Sequence, residues 1–288
     1  PGAQTALAAI LSTVARPGEA VLCEALTYPG LISAAGQLGI NLVPCLSDSE
    51  GLRPDALAEM FVHHHPAAIY ICPTMQNPTA HTLSAERRMS LAEVIASHRV
   101  PLIEDDPYAR LCETPPAAIS SFCPAHGIYI STLAKTLTPG LRTAFVAVPP
   151  GELGAQLAEA LRAFSMMPAP LMTAVAASWI REGVAERLLA AVRREALARR
   201  RMAADLLPRA QGAPESLHVW LDLPRDLSAD QLVAEAQDKG LSLVTARAFA
   251  PTEPHPNGLR ISLGGPARRA VLQTALHNLS RLKPELSS

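Results

Sequence analysis

Short apolar stretches alternate with helix-like segments along the first half of the chain, and this alternation limits the fold more than any other feature. The stretches 19–24 (EAVLCE), 67–73 (AAIYICP) and 100–106 (VPLIEDD) have the length and composition of buried strands. Segments 53–64 and 84–99 between them have the periodicity of helices. Short, wholly apolar strands separated by helices are typical of parallel sheets covered on both faces. We therefore predict an α/β fold whose mostly parallel sheet carries helices on both faces.

The pattern changes near residue 155, where helical segments replace the alternation. A long helix over 184–210 leads into a mixed tail of strands and helices. We predict a large domain over 1–182, followed by the linking helix and a smaller α+β domain over 183–288. The arginines in the middle of this helix could contact nucleic acid, but with Glu195 among them they favour a solvated helix face. The start PGAQTAL, without Met or a preceding strand, leads us to expect sequence upstream.

Composition excludes several classes of protein. The 288 residues carry a formal net charge of −1, which gives no bulk electrostatic reason to bind nucleic acid. No apolar stretch reaches the roughly 20 residues that a membrane-spanning helix needs. The five cysteines form no C-x-x-C pair, which indicates reduced thiols in a cytoplasmic protein.

The loops that follow the predicted strands carry the candidate chemistry, because ligands of such sheets bind beyond the carboxyl ends of the strands. These loops are 73–79 (PTMQNPT), 104–108 (EDDPY) and 131–135 (STLAK). Lys135 is one of three lysines, against 22 arginines. A desolvated lysine can lose its proton and become a nucleophile, and Schiff-base formation is its best-known use. A plain surface lysine is the alternative.

Three successive carboxylates, Glu104, Asp105 and Asp106, form the acidic end of the predicted strand and the first part of EDDPY. Strand alternation places Asp105 on the opposite side from Glu104 and Asp106, and a buried aspartate there could stabilise a protonated ring nitrogen. Tyr108 could hydrogen-bond a phenolic oxygen. A metal site or a helix-capping cluster is the alternative, and the run His63–His65 indicates a helix end rather than a metal site.

Five weaker signals complete the set of candidate residues. Segment 2–7 (GAQTAL) offers backbone N–H groups at a helix start, which is a possible anion site. Arg142 has the fork geometry that suits a phosphate, and Arg260 could bind a carboxylate, although an exposed arginine at a strand start is the common alternative. Tyr28 could stack on a planar ligand or simply pack in the core. Asn77 lies in an Asn-Pro turn, which alone indicates only a turn.

Taken in order, these motifs resemble a known family. GAQ, TYPG, QNPT, EDDPY, STLAK followed by Arg142, and LRISLGG occur in the order found in the fold type I pyridoxal-phosphate enzymes, the aspartate-aminotransferase-like group. The resemblance covers essentially the whole chain. It implies that pyridoxal 5′-phosphate is the cofactor and that an α-amino group is transferred to a 2-oxo acid, if the protein turns over.

The resemblance also implies a role for each matching residue. Lys135 would hold the cofactor as a Schiff base and later carry a proton between the substrate Cα and the cofactor's C4′ carbon. Asp105 would pair with the pyridine nitrogen, Asn77 and Tyr108 would bind the 3′ oxygen, and Tyr28 would stack on the ring.

The phosphate and the substrate would be held elsewhere on the same motifs. The phosphate contacts implied are those of Gly2, Ala3, Gln4, Thr132 and Arg142. Arg260 would bind the substrate α-carboxylate, with Asn77 also on the substrate side. The family usually has Ser where Thr132 stands and Gly where Ala80 stands.

Segments 165–204 and 218–250 look most like the aminotransferase-type domain of MocR regulators, a subfamily of the GntR regulators. This resemblance implies a domain that senses an amino acid or amine through the cofactor, with slow or absent turnover, while DNA would be bound by a domain absent from this chain. A free-standing amino-acid aminotransferase of the 2-aminoadipate type shares nearly every motif and stays the alternative. A scaffold that binds no cofactor is a third possibility. A homodimer is expected from the resemblance.

Overall fold

The computed structural model describes residues 2–282. Its ten α-helices are α1 Ala3–Val14, α2 Pro29–Leu38, α3 Pro54–His64, α4 Ala85–His98, α5 Ile119–Phe122, α6 Glu152–Ser165, α7 Pro170–Arg181, α8 Val184–Leu206, α9 Ala229–Gln237 and α10 Arg269–Leu282. Its strands are β1 Ala20–Glu24, β2 Asn41–Cys45, β3 Ser47–Asp48, β4 Gly51–Leu52, β5 Ala68–Ile71, β6 Leu102–Asp105, β7 Gly127–Thr132, β8 Ala144–Ala147, β9 His218–Asp222, β10 Val244–Thr245 and β11 Gly258–Ser262.

Six strands form the main sheet, in the order β2-β1-β5-β6-β7-β8. All neighbouring pairs are parallel except β7 and β8, which are antiparallel. The predicted α/β fold with a mostly parallel, helix-covered sheet is therefore confirmed. The sequence pattern did not predict the short helix α5 or the two-residue hairpin of β3 and β4.

Each face of the main sheet packs against its own set of helices. One apolar cluster joins residues of α1, α2 and α6 to the side chains on one face of the sheet. A second cluster joins α3, α4 and α5 to the opposite face. Strand β5 is buried throughout and carries apolar or aromatic side chains on both faces, which explains the uninterrupted run in the sequence. Strand β6 is also buried throughout, and its two acidic residues stand at its carboxyl end.

The C-terminal part forms a separate antiparallel sheet of three strands, in the order β10-β11-β9. Its core includes residues from α8, α9 and α10. Only Val244 and Thr245 of the apolar segment 241–249 are in a strand, and residues 246–249 turn into a 3₁₀ helix. The predicted domain boundary between 182 and 183 falls between α7 and α8, and it stays a prediction.

The arginine-rich helix α8 is not simply the solvated face that its sequence indicated. Three of its arginines donate to backbone carbonyls of other segments, and only Arg199 also pairs with Glu195, at 2.7 Å. The acceptors are the carbonyls of Arg110 and Cys112 for Arg193, of Leu263, Pro266 and Ala267 for Arg199, and of Ala210 and Gly212 for Arg200. Guanidinium groups suit this use because each offers several donors in a fixed plane. These arginines therefore fasten α8 to the segments that follow β6 and β11 and to the segment that precedes β9.

Within residues 2–282, no helix combines the length and the apolar character required to cross a bilayer.

Candidate active site

A cleft of about 250 Å³ opens at the carboxyl ends of β6 and β7. All eleven positions singled out by the sequence line it: Gly2, Ala3, Gln4, Tyr28, Asn77, Asp105, Tyr108, Thr132, Lys135, Arg142 and Arg260. The remaining lining residues are Tyr70, Cys72, Pro107, Ala134 and Pro139. The chain therefore brings together residues that are as much as 258 positions apart in the sequence, from Gly2 to Arg260.

Lys135 and Asp105 share this cleft and influence one another electrostatically. Asp105 ends β6 and is 6% exposed, and burial raises the pKa of its carboxyl to about 6. Lys135 lies three residues beyond β7, with its ammonium nitrogen 6.0 Å from the centre of the Tyr108 ring. Although part of the side chain is exposed, burial of the rest and the positive charge of Arg260 lower the pKa of Lys135, while Asp105 opposes the shift. The cleft thus favours the free amine more than water does.

The three carboxylates of EDDPY have different environments, as strand alternation predicted for Asp105. Glu104 accepts hydrogen bonds from the backbone N–H groups of Ile119 and Ser120, both at 2.8 Å, at the start of α5. Asp106 accepts from the hydroxyl of Thr74 at 3.1 Å and from the N–H of Ala109. Asp105 alone lines the cleft. Two of the three are therefore structural.

The metal alternative finds no support in the described range. No cluster of three or more His, Cys, Asp or Glu side chains between residues 2 and 282 could hold a metal ion. The histidine run is a helix end, as predicted, because α3 ends at His64 and His65 adopts a left-handed φ of 44°.

One end of the cleft is suited to an anion. Helix α1 begins at Ala3, and its first N–H groups have no acceptor within the helix. No acidic side chain occupies its first turn. Gly2 has a φ of +91°, and a Cβ there would stand 3.1 Å from Arg142 Nη2, so the glycine lets the guanidinium approach the helix start. Thr132 is 6% exposed beside them, and its hydroxyl donates to the carbonyl of Thr143 at 3.1 Å.

Gln4 and Tyr28 meet at Gly30 on the same side of the cleft. The amide nitrogen of Gln4 donates one of its two hydrogens to the Gly30 carbonyl at 2.8 Å. The backbone N–H of Gln4 is one of the donors at the helix start. A Cβ on Gly30 would lie 2.2 Å from the Tyr28 ring, so only glycine lets the ring take this place. Burial and the charge of Asp105 raise the pKa of Tyr28, while Arg142 lowers it.

The C-terminal sheet supplies the opposite wall. Arg260 on β11 donates from Nη1 to Asn77 Oδ1 at 2.9 Å, and its guanidinium carbon lies 5.0 Å from the centre of the Phe249 ring. Its Nε is buried without a hydrogen-bond partner among the described residues. Burial lowers the pKa of Arg260, so the group gains from an anion that would pair with it.

Loop 76–80 connects this wall to the main sheet. His218 Nε2 lies 3.0 Å from the carbonyl of Gln76, and the N–H of Ala213 donates to the carbonyl of Ala80. Ala80 has a φ of 59°, a left-handed conformation that glycine adopts more readily, which agrees with the glycine that the family resemblance implies at this position. The sequence motifs did not indicate His218, whose ring centre lies 5.7 Å from that of Tyr108.

Comparison with known proteins agrees with this geometry. The model of the family described as aminotransferase class I and II matches residues 1–277. An uncharacterized HTH-type transcriptional regulator of Bacillus subtilis, YdeF, is 29% identical over 99% of this chain and 62% of its own length. The 2-aminoadipate transaminase of Thermus thermophilus is 28% identical over 94% of this chain and 71% of its own length. The predicted resemblance to aminotransferases and to regulators that contain such a domain is confirmed.

Solved structures give the same result for the fold. The α-aminoadipate aminotransferase LysN from Thermus thermophilus, complexed with N-(5′-phosphopyridoxyl)-L-leucine, superposes with a TM-score of 0.90 at 26% identity. The match covers 99% of this chain and 76% of LysN. The chain spans less than two thirds of YdeF and of a second Bacillus subtilis regulator, YdfD, at 62% and 61% of their lengths.

Proposed function

The chain belongs to the aminotransferase class I and II family, and from this we propose that it is a pyridoxal-phosphate-binding domain that senses an amino acid or amine for a transcriptional regulator of the MocR/GntR type. The observation that carries the proposal is the convergence of Lys135, Asp105, Arg142 and Arg260 on one cleft. DNA would be bound by a domain outside these 288 residues. The similarity to YdeF over 99% of the chain supports the regulatory role.

The residues present fit pyridoxal phosphate. The start of α1 and Arg142 offer donors for the phosphate, and the cradle at Gly2 is one that a Cβ would partly fill. The Thr132 hydroxyl would join them by turning its proton from the Thr143 carbonyl to the phosphate. Asp105 offers a buried carboxylate for the ring nitrogen. Tyr28 offers a ring for stacking, and Asn77 and Tyr108 offer polar groups for the 3′ oxygen. Positive groups for the phosphate and a negative group for the ring nitrogen thus both line the cleft, as the charge distribution of the cofactor requires.

When bound, the cofactor supplies an aldehyde and an electron-withdrawing ring. Lys135 would bind the aldehyde through its amine, and the lowered pKa that burial and Arg260 give it makes that amine available. Released from this bond, the same amine would hold or move the proton at the substrate Cα. Arg260 would orient the substrate by its carboxylate, for which the unpartnered Nε is suited.

The alternative function is transfer of the α-amino group to a 2-oxo acid, by an enzyme of the 2-aminoadipate type. The observation in its favour is the similarity to the Thermus thermophilus transaminase over 94% of this chain. The two functions differ in turnover, since a sensor needs only to bind its ligand. For either function we propose that the protein is cytoplasmic. We also propose that it forms a homodimer, which sedimentation analysis would test.

We expect borohydride reduction of the pyridoxal-phosphate complex to fix the cofactor on Lys135, because this is the one lysine that lines the cleft within the described residues. The measurement is mass mapping of proteolytic peptides after reduction. The chain contains only two other lysines, Lys239 and Lys283, and these serve as internal controls. Label spread equally over all three, without a visible absorption band before reduction, would refute the proposed function.

Arg260→Met should weaken amino-acid binding about 10- to 100-fold, because a charge-assisted, bidentate contact is lost. Cofactor affinity should change less, since Arg260 would reach the cofactor only through Asn77. Titration of the cofactor-loaded chain with amino acids measures the first affinity, and titration of the cofactor-free chain with pyridoxal phosphate measures the second. Arg247→Met is the matched control, because Arg247 lies in the 3₁₀ helix after β10, is exposed and lies outside the cleft. Equal affinities in both variants would contradict the assignment.

A further inference from the structure

Tyr70 is a buried tyrosine that no sequence motif singled out, and it lies beside Asp105. In the parallel pair of β5 and β6, Tyr70 is opposite Ile103. Asp105 is two residues further along β6, so its side chain projects to the same face and is a diagonal neighbour of the Tyr70 ring. Both residues line the cleft.

The tyrosine hydroxyl donates to Asp105 Oδ2 at 2.8 Å. Tyr70 is 0% exposed and Asp105 is 6% exposed, so water does not compete strongly for this bond. Among residues 2–282, no donor is recorded for the other oxygen, Oδ1. The carboxylate is therefore held by one oxygen and leaves the other for a ligand in the cleft.

We propose that Tyr70 is a positioning residue that fixes the Asp105 carboxylate with Oδ1 toward the cofactor's ring nitrogen and favours its ionised form. The inference rests on the proposed function, because the ring nitrogen belongs to the cofactor. A carboxylate that must stabilise a positive nitrogen has to stay both charged and aimed, and a strong buried donor achieves both.

The charges around Asp105 agree with this role. Burial raises the pKa of Asp105 to about 6, whereas the Tyr70 hydrogen bond and the charge of Lys135 lower it. The other ionisable groups that interact with it are Cys72 just after β5, Tyr28 at the start of α2 and Tyr108 after β6. Of all these, only Tyr70 donates a hydrogen bond to the carboxylate within the described chain.

Tyr70→Phe removes the donor and keeps the ring in the core. In the cofactor-free chain, we expect the titration midpoint of Asp105 to rise by about one pH unit, because the ionised form loses its hydrogen bond. The measurement is ¹³C NMR of selectively labelled aspartate carboxyls, with the Asp105 signal assigned by its loss in Asp105→Asn. Replacing Tyr70 with 3-fluorotyrosine, a more acidic phenol, should shift the midpoint downward.

Tyr129→Phe is the matched control, since Tyr129 is a half-buried tyrosine of β7 that does not line the cleft. It should leave the Asp105 midpoint unchanged.

With ¹⁵N-labelled pyridoxal phosphate bound, the ring-nitrogen resonance of Tyr70→Phe should move toward the unprotonated position.

The Asp105 titration tests the role of Tyr70, whereas cofactor binding by the wild-type chain tests the proposed function. An unchanged Asp105 midpoint in both Tyr70 variants would overturn the role of Tyr70, even if the cofactor binds normally. Failure of the wild-type chain to bind the cofactor would overturn the proposed function, while the cofactor-free titration would still report on the pairing of Tyr70 with Asp105.

Discussion

Lys135→Ala should bind pyridoxal phosphate without any link that borohydride can reduce, and with an affinity lower by on the order of a hundredfold. Among the described residues that line the cleft, the lost amine is the only nucleophile whose pKa is lowered, by burial and by Arg260. The anion cradle at the start of α1 stays intact, so residual binding through the phosphate is expected. Visible absorption and mass mapping after reduction measure the two effects.

Lys135→Arg separates nucleophilicity from charge. Arginine keeps the positive charge beside Asp105 but cannot act as an amine nucleophile, because its guanidinium stays protonated. It should therefore fail to form the reducible link as completely as the alanine variant does. Lys239→Ala, a change in the exposed turn after α9, should form the link normally. A reducible adduct that persists in both Lys135 variants would mean that the assignment of Lys135 is wrong.

The position of the site could be predicted from the sequence because it depends on a general property of parallel sheets. Asp105 ends β6 and Lys135 follows β7, and these strands are neighbours in the sheet. Strand alternation alone separated Asp105 from Glu104, whose carboxylate accepts from the first N–H groups of α5. The local sequence pattern was therefore enough to predict the fold class and the strand ends that face the cleft.

The partners of those residues could not be predicted, because they depend on register and on contacts between distant segments. Tyr70 meets Asp105 only because β5 pairs with β6 in one register, and one residue of slip would turn its ring to the other face. The guanidinium of Arg199 reaches carbonyls more than 60 residues away, so its sequence context indicated only a helix surface. Ile119–Phe122 is too short for its period to be recognised.

Arg88 is the clearest case of such a hidden partner, and it supports the loop that carries Asn77. The side chain is 0% exposed on α4. Its guanidinium donates to the carbonyls of Leu83, Ala117 and Pro73 at 3.0–3.2 Å, and to Thr74 Oγ1 at 2.9 Å. The Thr74 hydroxyl in turn donates to Asp106. One buried cation thus connects α4, the start of the 73–79 loop and the end of β6.

Arg88→Met should destabilise the fold by about 3–5 kcal/mol, because it leaves buried acceptors without donors and Asp106 without its cation. Burial and Glu104 raise the pKa of Asp106 to about 7, while Arg88 lowers it. The folded-state pKa lies above the ordinary value of 3.8, so Asp106 is mostly neutral below pH 7 and is stabilised as an anion by the charge of Arg88 only above it. The loss should therefore be larger at pH 8 than at pH 6.

Urea unfolding of the wild type and the variant at both pH values measures this loss, with the midpoint shifting and the slope unchanged. Arg53→Met is the matched control, because Arg53 pairs with Asp55 at the exposed start of α3 and exposed pairs contribute little. Its midpoint should scarcely move at either pH. A similar small shift for Arg88→Met would mean that water or rearranged backbone satisfies these acceptors, and that the loop bearing Asn77 is held by its other contacts. Asn77 accepts from Arg260, so loosening the 73–79 loop would also disturb the cofactor cleft. A large shift of the urea midpoint should therefore be accompanied by weaker cofactor binding at urea concentrations below the unfolding transition.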